Sequence, residues 1–384
     1  MGIWSELQEE MRLLDDEAEH DGYWHSISGT LTILACGMLC GLRLIGEIAD
    51  WARAAPPRAL PEEQFGITRT PCRAQFHNIL KCVDADRFSL GFARWMSAAA
   101  GAVEGKTVAI DGKTVRGTGK LSGDGGAPHI ASAMVTGLKL VIGSGECGTK
   151  GGEQAVFREL LDILDVSGAV VVADALHCSR KSAEAVPDVG ADYLFSVKGN
   201  VPRLNEDLEL YFREGDAPTH TTVEKNGGRL ERRTAHATGE VRWLEGREGW
   251  PGLSTIGAVR RKFENVKTGR KSDEWSDCIS SARLGPEELL ACVRLGRGVE
   301  SMHWLLDVHF AEDGTRVWDM RVLNTVRKMA LNMAQVFTSA RLPEWASLSG
   351  VFRANLFDTE KLAEFLDFFR CLRKLDCRAG GGVP

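Results

Sequence analysis

The feature that most constrains the fold of this 384-residue chain is a short run, GAVVVADA (residues 168–175), apolar at every position until Asp174. Apolar residues without polar alternation over this length fit a central strand covered on both faces. Such a strand needs paired neighbours and covering helices, and the flanking sequence supplies both in a definite order. KTVAID (106–111), HIASAMVT (129–136) and LKLVIGSGEC (138–147) read as three successive strands, with Thr136-Gly137 as the tight connection between the last two. GGEQAVFRELLDIL (151–164) carries Val156, Leu160, Leu161 and Leu164 at helical spacing. SRKSAEAVPDVG (179–190) is a short helix closed by Pro187 and Gly190, and ADYLFSVKGN (191–200) is a fifth strand.

Three strands, then helix, strand, helix, strand, is the order of a ribonuclease-H-like domain, an α/β fold in which the first and fourth strands are neighbours. Two apolar strands that each end on a carboxylate, Asp111 and Asp174, would then lie side by side. Asp is a poor strand residue, and a charge ending an apolar run is costly without compensation. The plain alternative for IDG is a strand-ending Asp111 that accepts hydrogen bonds from the turn at Gly112.

Around this core the chain divides into further segments. Residues 1–100 are helical in pattern. The apolar run Leu31 to Leu42 is too short to span a bilayer and reads as a buried helix. TPCRAQFHNILKC begins a second helix, with Thr70 as N-cap and Pro71 at its first position. With the helix before it, this segment is either a DNA-reading helix-turn-helix, with Arg69, Arg73 and Gln75 near the helix start, or plain helical packing. Residues 101–340 read as the ribonuclease-H-like domain, interrupted at about 201–284 by a β-rich insertion with turns at Gly227-Gly228 and VKTGRK. A helix starting at Gly285-Pro286 runs through Glu300 and His303, weakened at Gly296 and Gly298. Residues 341–384 form a C-terminal helical tail.

Charge separates along the chain although the net value is only −6. From Lys225 to Lys271 twelve basic residues stand against five acidic ones, whereas the first hundred residues hold nine basic and fourteen acidic. A basic insertion is the footprint of a polyanion partner or of a solvated face. The acidic opening lacks a secretory pattern, and ten cysteines without a CxxC pair fit reduced thiols in the cytoplasm.

Carboxylates brought together from two strands and a later helix require neutralisation, which a divalent cation supplies; an oxygen-only donor set favours Mg²⁺ or Mn²⁺. Two such ions can drive in-line phosphoryl displacement. Lys113, Arg116 and Lys198, with Asn200 close behind, are then expected phosphate contacts, as are Arg229 and Arg233 in the insertion. Other chemistries fit less well. GSGECGTKGG lacks the Gly-Lys-Ser/Thr of a phosphate loop. His177 and Cys178 are adjacent and so point apart. His303 and Asp307 share a helix face, but two ligands do not make a metal site.

VAIDGKTVRGT, VVADALHCSRKSAEAVPDVGADYLFSVKGN, GRLERR, WPGLSTIGAV and VESMHWLLDVHFAEDGTRV together resemble bacterial DDE-type insertion-sequence transposases of the H-repeat-associated family, from about residue 10 to residue 340. The resemblance implies a metal-dependent, ribonuclease-H-like enzyme that cuts and joins DNA at transposon ends, a homodimer when bound to DNA, soluble and nucleoid-associated. It makes Asp111, Asp174 and Glu300 the catalytic acids and the ligands of two Mg²⁺ or Mn²⁺ ions. The chain departs from the family at Gly296-Arg297-Gly298, where relatives have His-Trp-Gly. Ser301 stands for the usual Asn, and Asp307 for a Lys. Asp307 is the alternative third acid, and a catalytically impaired or domesticated DNA-binding relative is the alternative function.

Overall fold

The computed structural model describes residues 2–15, 25–53, 70–115, 129–147, 152–314, 320–343 and 346–372. Nine strands among them form one sheet: β1 (Thr107–Thr114), β2 (His129–Val135), β3 (Leu140–Glu146), β4 (Val170–Ala173), β5 (Asp192–Val197), β6 (Thr219–Asn226), β7 (Arg229–Thr238), β8 (Thr255–Asn265) and β9 (Lys271–Ser280). Their order is β3-β2-β1-β4-β5-β9-β8-β7-β6. Strands β1, β4 and β5 are parallel, and every other pairing is antiparallel. The apolar run therefore lies between β1 and β5. The β2–β3 connection spans residues 136–139, with Lys139 rather than a glycine in the left-handed region (φ 57°).

The segment read as an insertion adds its strands to the edge of this same sheet, because β9 pairs with β5 through Leu194–Ser280 to Val197–Asp277. It also holds two elements absent from the sequence reading, the strand β6 and a helix, α8 (Pro202–Glu214). Gly227 and Gly228, both at positive φ (55° and 84°), make the two-residue turn that joins β6 to β7. Part of the basic excess is paired between β8 and β9. Arg260 and Lys262 reach Asp273, Arg261 reaches Glu274, and Lys271 reaches Glu264.

Before the sheet come α1 (Ile3–Arg12), α2 (Ile27–Leu39), α3 (Ile45–Arg53), α4 (Arg73–Cys82) and α5 (Ala85–Ala100). The apolar run at 31–42 is, as expected, a buried helix: α2 is covered on nearly all sides. Helix α4 starts two residues later than the sequence suggested. Cys72 is the N-cap, and its N–H donates to Gln75 Oε1 at 2.8 Å, while Thr70 donates to the carbonyl of Ala52. Gln75 is thus committed to the cap; Arg73 is exposed, and Arg69 lies outside the described residues.

The other helices are α6 (Glu153–Ile163), α7 (Arg180–Asp188), α9 (Pro286–Gly296), α10 (Gly298–Phe310), α11 (Met320–Arg341), α12 (Leu348–Phe357) and α13 (Thr359–Cys371). Chain ends and sheet form one packed body. Helices α5 and α11 both pack on β3, and α2 packs on α11. Asn332 of α11 binds both the N–H and the carbonyl of Val141 (3.0 and 2.7 Å). Ile3 donates its N–H to Leu372, and the Trp95 indole donates to the Ile3 carbonyl, each at 2.9 Å. Among the described residues no helix is long and apolar enough to cross a membrane.

Candidate active site

Strand register places the first two carboxylates. Ile110 of β1 pairs in parallel with Ala173 of β4, so Asp111 and Asp174 occupy the next rung, where side chains on neighbouring parallel strands share a face. Helix α9 covers that face. Its Leu289 and Leu290 are buried with Leu194, Val259 and Cys278, and partly buried Val170 and Val172 pack against them. The expected single helix through Glu300 breaks at Arg297, which separates α9 from α10. Close packing accompanies the break. A Cβ on Gly296 would lie 2.6 Å from Val172 Cγ1, so the end of α9 is pressed onto β4 two residues before Asp174. From this corner α10 starts and presents Glu300 in its first turn.

Asp111, Asp174 and Glu300 line one cleft of about 570 Å³, together with Lys198, Arg297, Arg213 and Trp275. Asp174 Oδ1 accepts the N–H of Leu176 at 3.0 Å, which orients the carboxylate at the strand end. Burial pushes the Asp111 carboxyl up to about 6; the charge of Asp174 adds to this, the Gly112 N–H opposes it, and Glu300 and Glu153 raise it further. The strand does not end at Asp111, as the plain reading of IDG expected: β1 continues through Gly112, paired opposite Ala131, to Thr114.

Among the described residues no cation pairs with Asp111. His303 Nε2 lies 3.7 Å from Asp111 Oδ2, beyond hydrogen-bonding distance. Burial, followed by the charges of Lys328 and Lys113, lowers the imidazole to about 3, so His303 is neutral at ordinary pH. Lys113 is occupied elsewhere, 2.8 Å from Glu312 and 3.4 Å from Asp313. Asp307 does not line the cleft; its Oδ1 accepts the N–H of Asp313 and so holds the turn after α10.

The remaining candidates fall in several places. Lys198 is exposed on the cleft wall. Asn200 donates to the carbonyls of Ala175 and Cys178 (2.5 and 3.2 Å), tying the end of β5 to the loop that follows Asp174. Arg229 is exposed near the β6–β7 turn. Arg233, by contrast, is paired with Glu224 and Glu231 at 3.0 and 2.9 Å. Arg116 lies outside the described residues.

The sequence reading missed five contributors. Arg213 of α8 makes a two-pronged pair with Asp277 (2.5 and 2.8 Å) and lies 4.5 Å over the Trp275 ring, forming the far wall of the cleft. Pro202 at the helix start with Leu204, Leu208 and Phe212 at helical spacing was the available signal for α8. Behind Asp111, His129 contacts Glu153 and its Nδ1 lies 2.8 Å from the Thr114 hydroxyl. Gly112 sits against this pair so closely that a Cβ would fall 2.3 Å from His129 Nε2. Nothing local in the sequence marks His129 and Glu153, which are 24 residues apart and meet only through the fold.

A family model described as "Transposase DDE domain" matches residues 104–333, more than half of the chain and all nine strands. The chain belongs to the DDE transposase family. Among curated relatives of this transposase chain, the Escherichia coli K12 protein named "H repeat-associated putative transposase YhhI" is 29% identical over 343 residues, covering 85% of this chain and 89% of the relative. "H repeat-associated putative transposase YbfD" from the same organism is 31% identical, covering 59% and 91%. Among solved structures, the chain resembles the piggyBac transposase in a synaptic complex with hairpin DNA. That likeness has 13% identity and a TM-score of 0.47, covering 95% of this chain and 78% of the other.

Proposed function

We propose that this transposase-family chain cleaves and joins DNA strands at the ends of an insertion sequence, with Asp111, Asp174 and Glu300 as its catalytic acids on a ribonuclease-H-like core. The observation that carries the reading is one cleft lined by three carboxylates from β1, the end of β4 and α10, where Asp111 has no cationic partner among the described residues and is raised to about 6. The donor set is all oxygen and fits Mg²⁺ or Mn²⁺. Among the described residues no three His, Cys, Asp or Glu side chains are already arranged to hold an ion, so the acids share the cleft without forming a closed cage. A bound pair of such ions supplies charge neutralisation and an activated water or 3′-hydroxyl.

The protein's own residues position the rest. Strand register fixes Asp111 beside Asp174, the Arg297 corner sets Glu300 opposite, and exposed Lys198 meets a phosphate. Residues 1–100 contribute recognition of the transposon end through the exposed start of α4. The edge strands carrying Arg229 provide a further phosphate contact, and two copies of the chain act together on DNA.

The test is cleavage of DNA carrying the element's terminal repeats by the full chain with Mg²⁺. Asp111→Asn, Asp174→Asn and Glu300→Gln are each expected to abolish cleavage while DNA binding and the melting curve persist. Full cleavage by Asp111→Asn sinks the assignment. Terminal-repeat binding without cleavage by the wild type points instead to the catalytically silent, DNA-binding alternative, which the replacement of the relatives' His-Trp-Gly by Gly-Arg-Gly keeps in play.

A further inference from the structure

We infer that Arg297 is a phosphate anchor that carries a DNA strand out of the carboxylate cleft into a second, arginine-lined hollow; this rests on the transposase reading above. The second hollow, about 260 Å³, lies between the α9–α10 corner and strands β7 to β9, and Arg233, Arg261, Arg294 and Arg297 line it. It is continuous with the carboxylate cleft, because Arg297, Val293 and Ser276 belong to the walls of both.

The four arginines are not equivalent. Arg233 is paired with Glu224 and Glu231, Arg261 with Glu231 and Glu274, and Arg294 with Glu224 at 2.6 Å. Arg297 is exposed and makes no ion pair with any described residue. The uncompensated positive charge of the hollow therefore sits at its junction with the cleft. A phosphodiester leaving three carboxylates needs a cation at that junction, and a guanidinium can bind two of its oxygens at once.

The position is built rather than incidental. Gly296 lets the corner settle on Val172, and the Arg297 carbonyl accepts the N–H of Glu300 at 3.2 Å. Backbone and side chain of one residue thus fix the third carboxylate and the strand exit together. The adjoining first turn of α10 adds the positive end of a thirteen-residue helix.

Binding of a fluorescent duplex carrying the terminal repeat to the full chain, without divalent metal and across a salt series, tests this. Arg297→Ala is expected to weaken binding by about tenfold or more and to lower the salt slope by about one. Arg297→Lys should restore the slope, and Arg297→Gln should behave as Arg297→Ala. Arg370→Ala, on α13 away from both cavities and paired with Asp367, should leave the slope close to wild type. An unchanged slope in both Arg297→Ala and Arg297→Gln, with wild-type binding intact, overturns the anchor and spares the transposase reading. Wild type that shows no salt-dependent DNA binding overturns both.

Discussion

Gly112 shows how tightly single residues are specified around Asp111. An added methyl would meet the His129 ring at 2.3 Å and Glu153 at 3.3 Å, both of them buried groups. Gly112→Ala is expected to cost about 1–3 kcal/mol in urea unfolding and, by displacing Asp111, to reduce cleavage; an unperturbed melt would show that the pair yields freely. A second residue-scale expectation concerns Lys328. Its ammonium is 1% exposed and has no hydrogen-bond partner among the described residues. Burial lowers it to about 8, against the pull of Glu312 and with the push of Lys113, whereas an unfolded lysine holds its proton to about 10.4. Between those values the unfolded chain binds more protons, so this group makes stability rise with pH, by about 3 kcal/mol across the window. Lys328→Met should remove that rise, read as the difference between the two proteins' unfolding free energies at pH 7.5 and pH 10. A constant difference would contradict it.

At the scale of elements, the site depends on how α9 ends. The helix is pressed onto β4 at Gly296 and then breaks, and the break directs Glu300 toward Asp111 and Asp174. Gly296→Ala should cost about 1–3 kcal/mol through the clash with Val172. Val172→Ala in the same chain should recover part of that loss, because it removes the atom that is struck. Two additive losses in the double variant would place the strain elsewhere. Helix α8 is fixed to β9 by Arg213 and Asp277, the latter only 4% exposed. Arg213→Ala leaves a buried carboxylate unpaired and should cost about 3–5 kcal/mol in urea unfolding; a loss under 1 kcal/mol would mean that water reaches Asp277.

For the whole molecule, the termini are structural partners of the sheet. Helix α5 covers β3 with Phe92 and Met96 buried, α1 is tied to the last helix through Ile3 and Leu372, and buried α2 lies against α11. A fragment beginning at Lys106 would expose all of these apolar surfaces at once. Such a fragment is therefore expected to be aggregated, or compact without fixed packing, by size exclusion and near-UV circular dichroism. A soluble fragment with a cooperative melt would show that the sheet is self-sufficient, and would make it possible to test DNA recognition by residues 1–100 by deletion.

What the sequence determined by itself was the succession of local patterns. The unbroken apolar run at 168–173 required a central strand, the strand–helix order set β4 beside β1, and Asp111 within β1 and Asp174 just after β4 were then bound to be neighbours. These are short-range periodicities, and periodicity is written residue by residue. The tertiary structure decided what depends on register and close approach. Acids of β9 fall opposite basic residues of β8, which turns part of the apparent basic excess into cross-strand pairs. His129 and Glu153 meet behind Asp111 only because β2 pairs with β1 and α6 packs on β2. Beside the helix break at Arg297, Gly296 lies so near Val172 that an added Cβ would fall 2.6 Å from its Cγ1, a contact between residues more than a hundred positions apart. Charge pairing and steric contact act through space, so the sequence carried the strands and their order, and the fold alone chose which side chains would face the cleft without a partner.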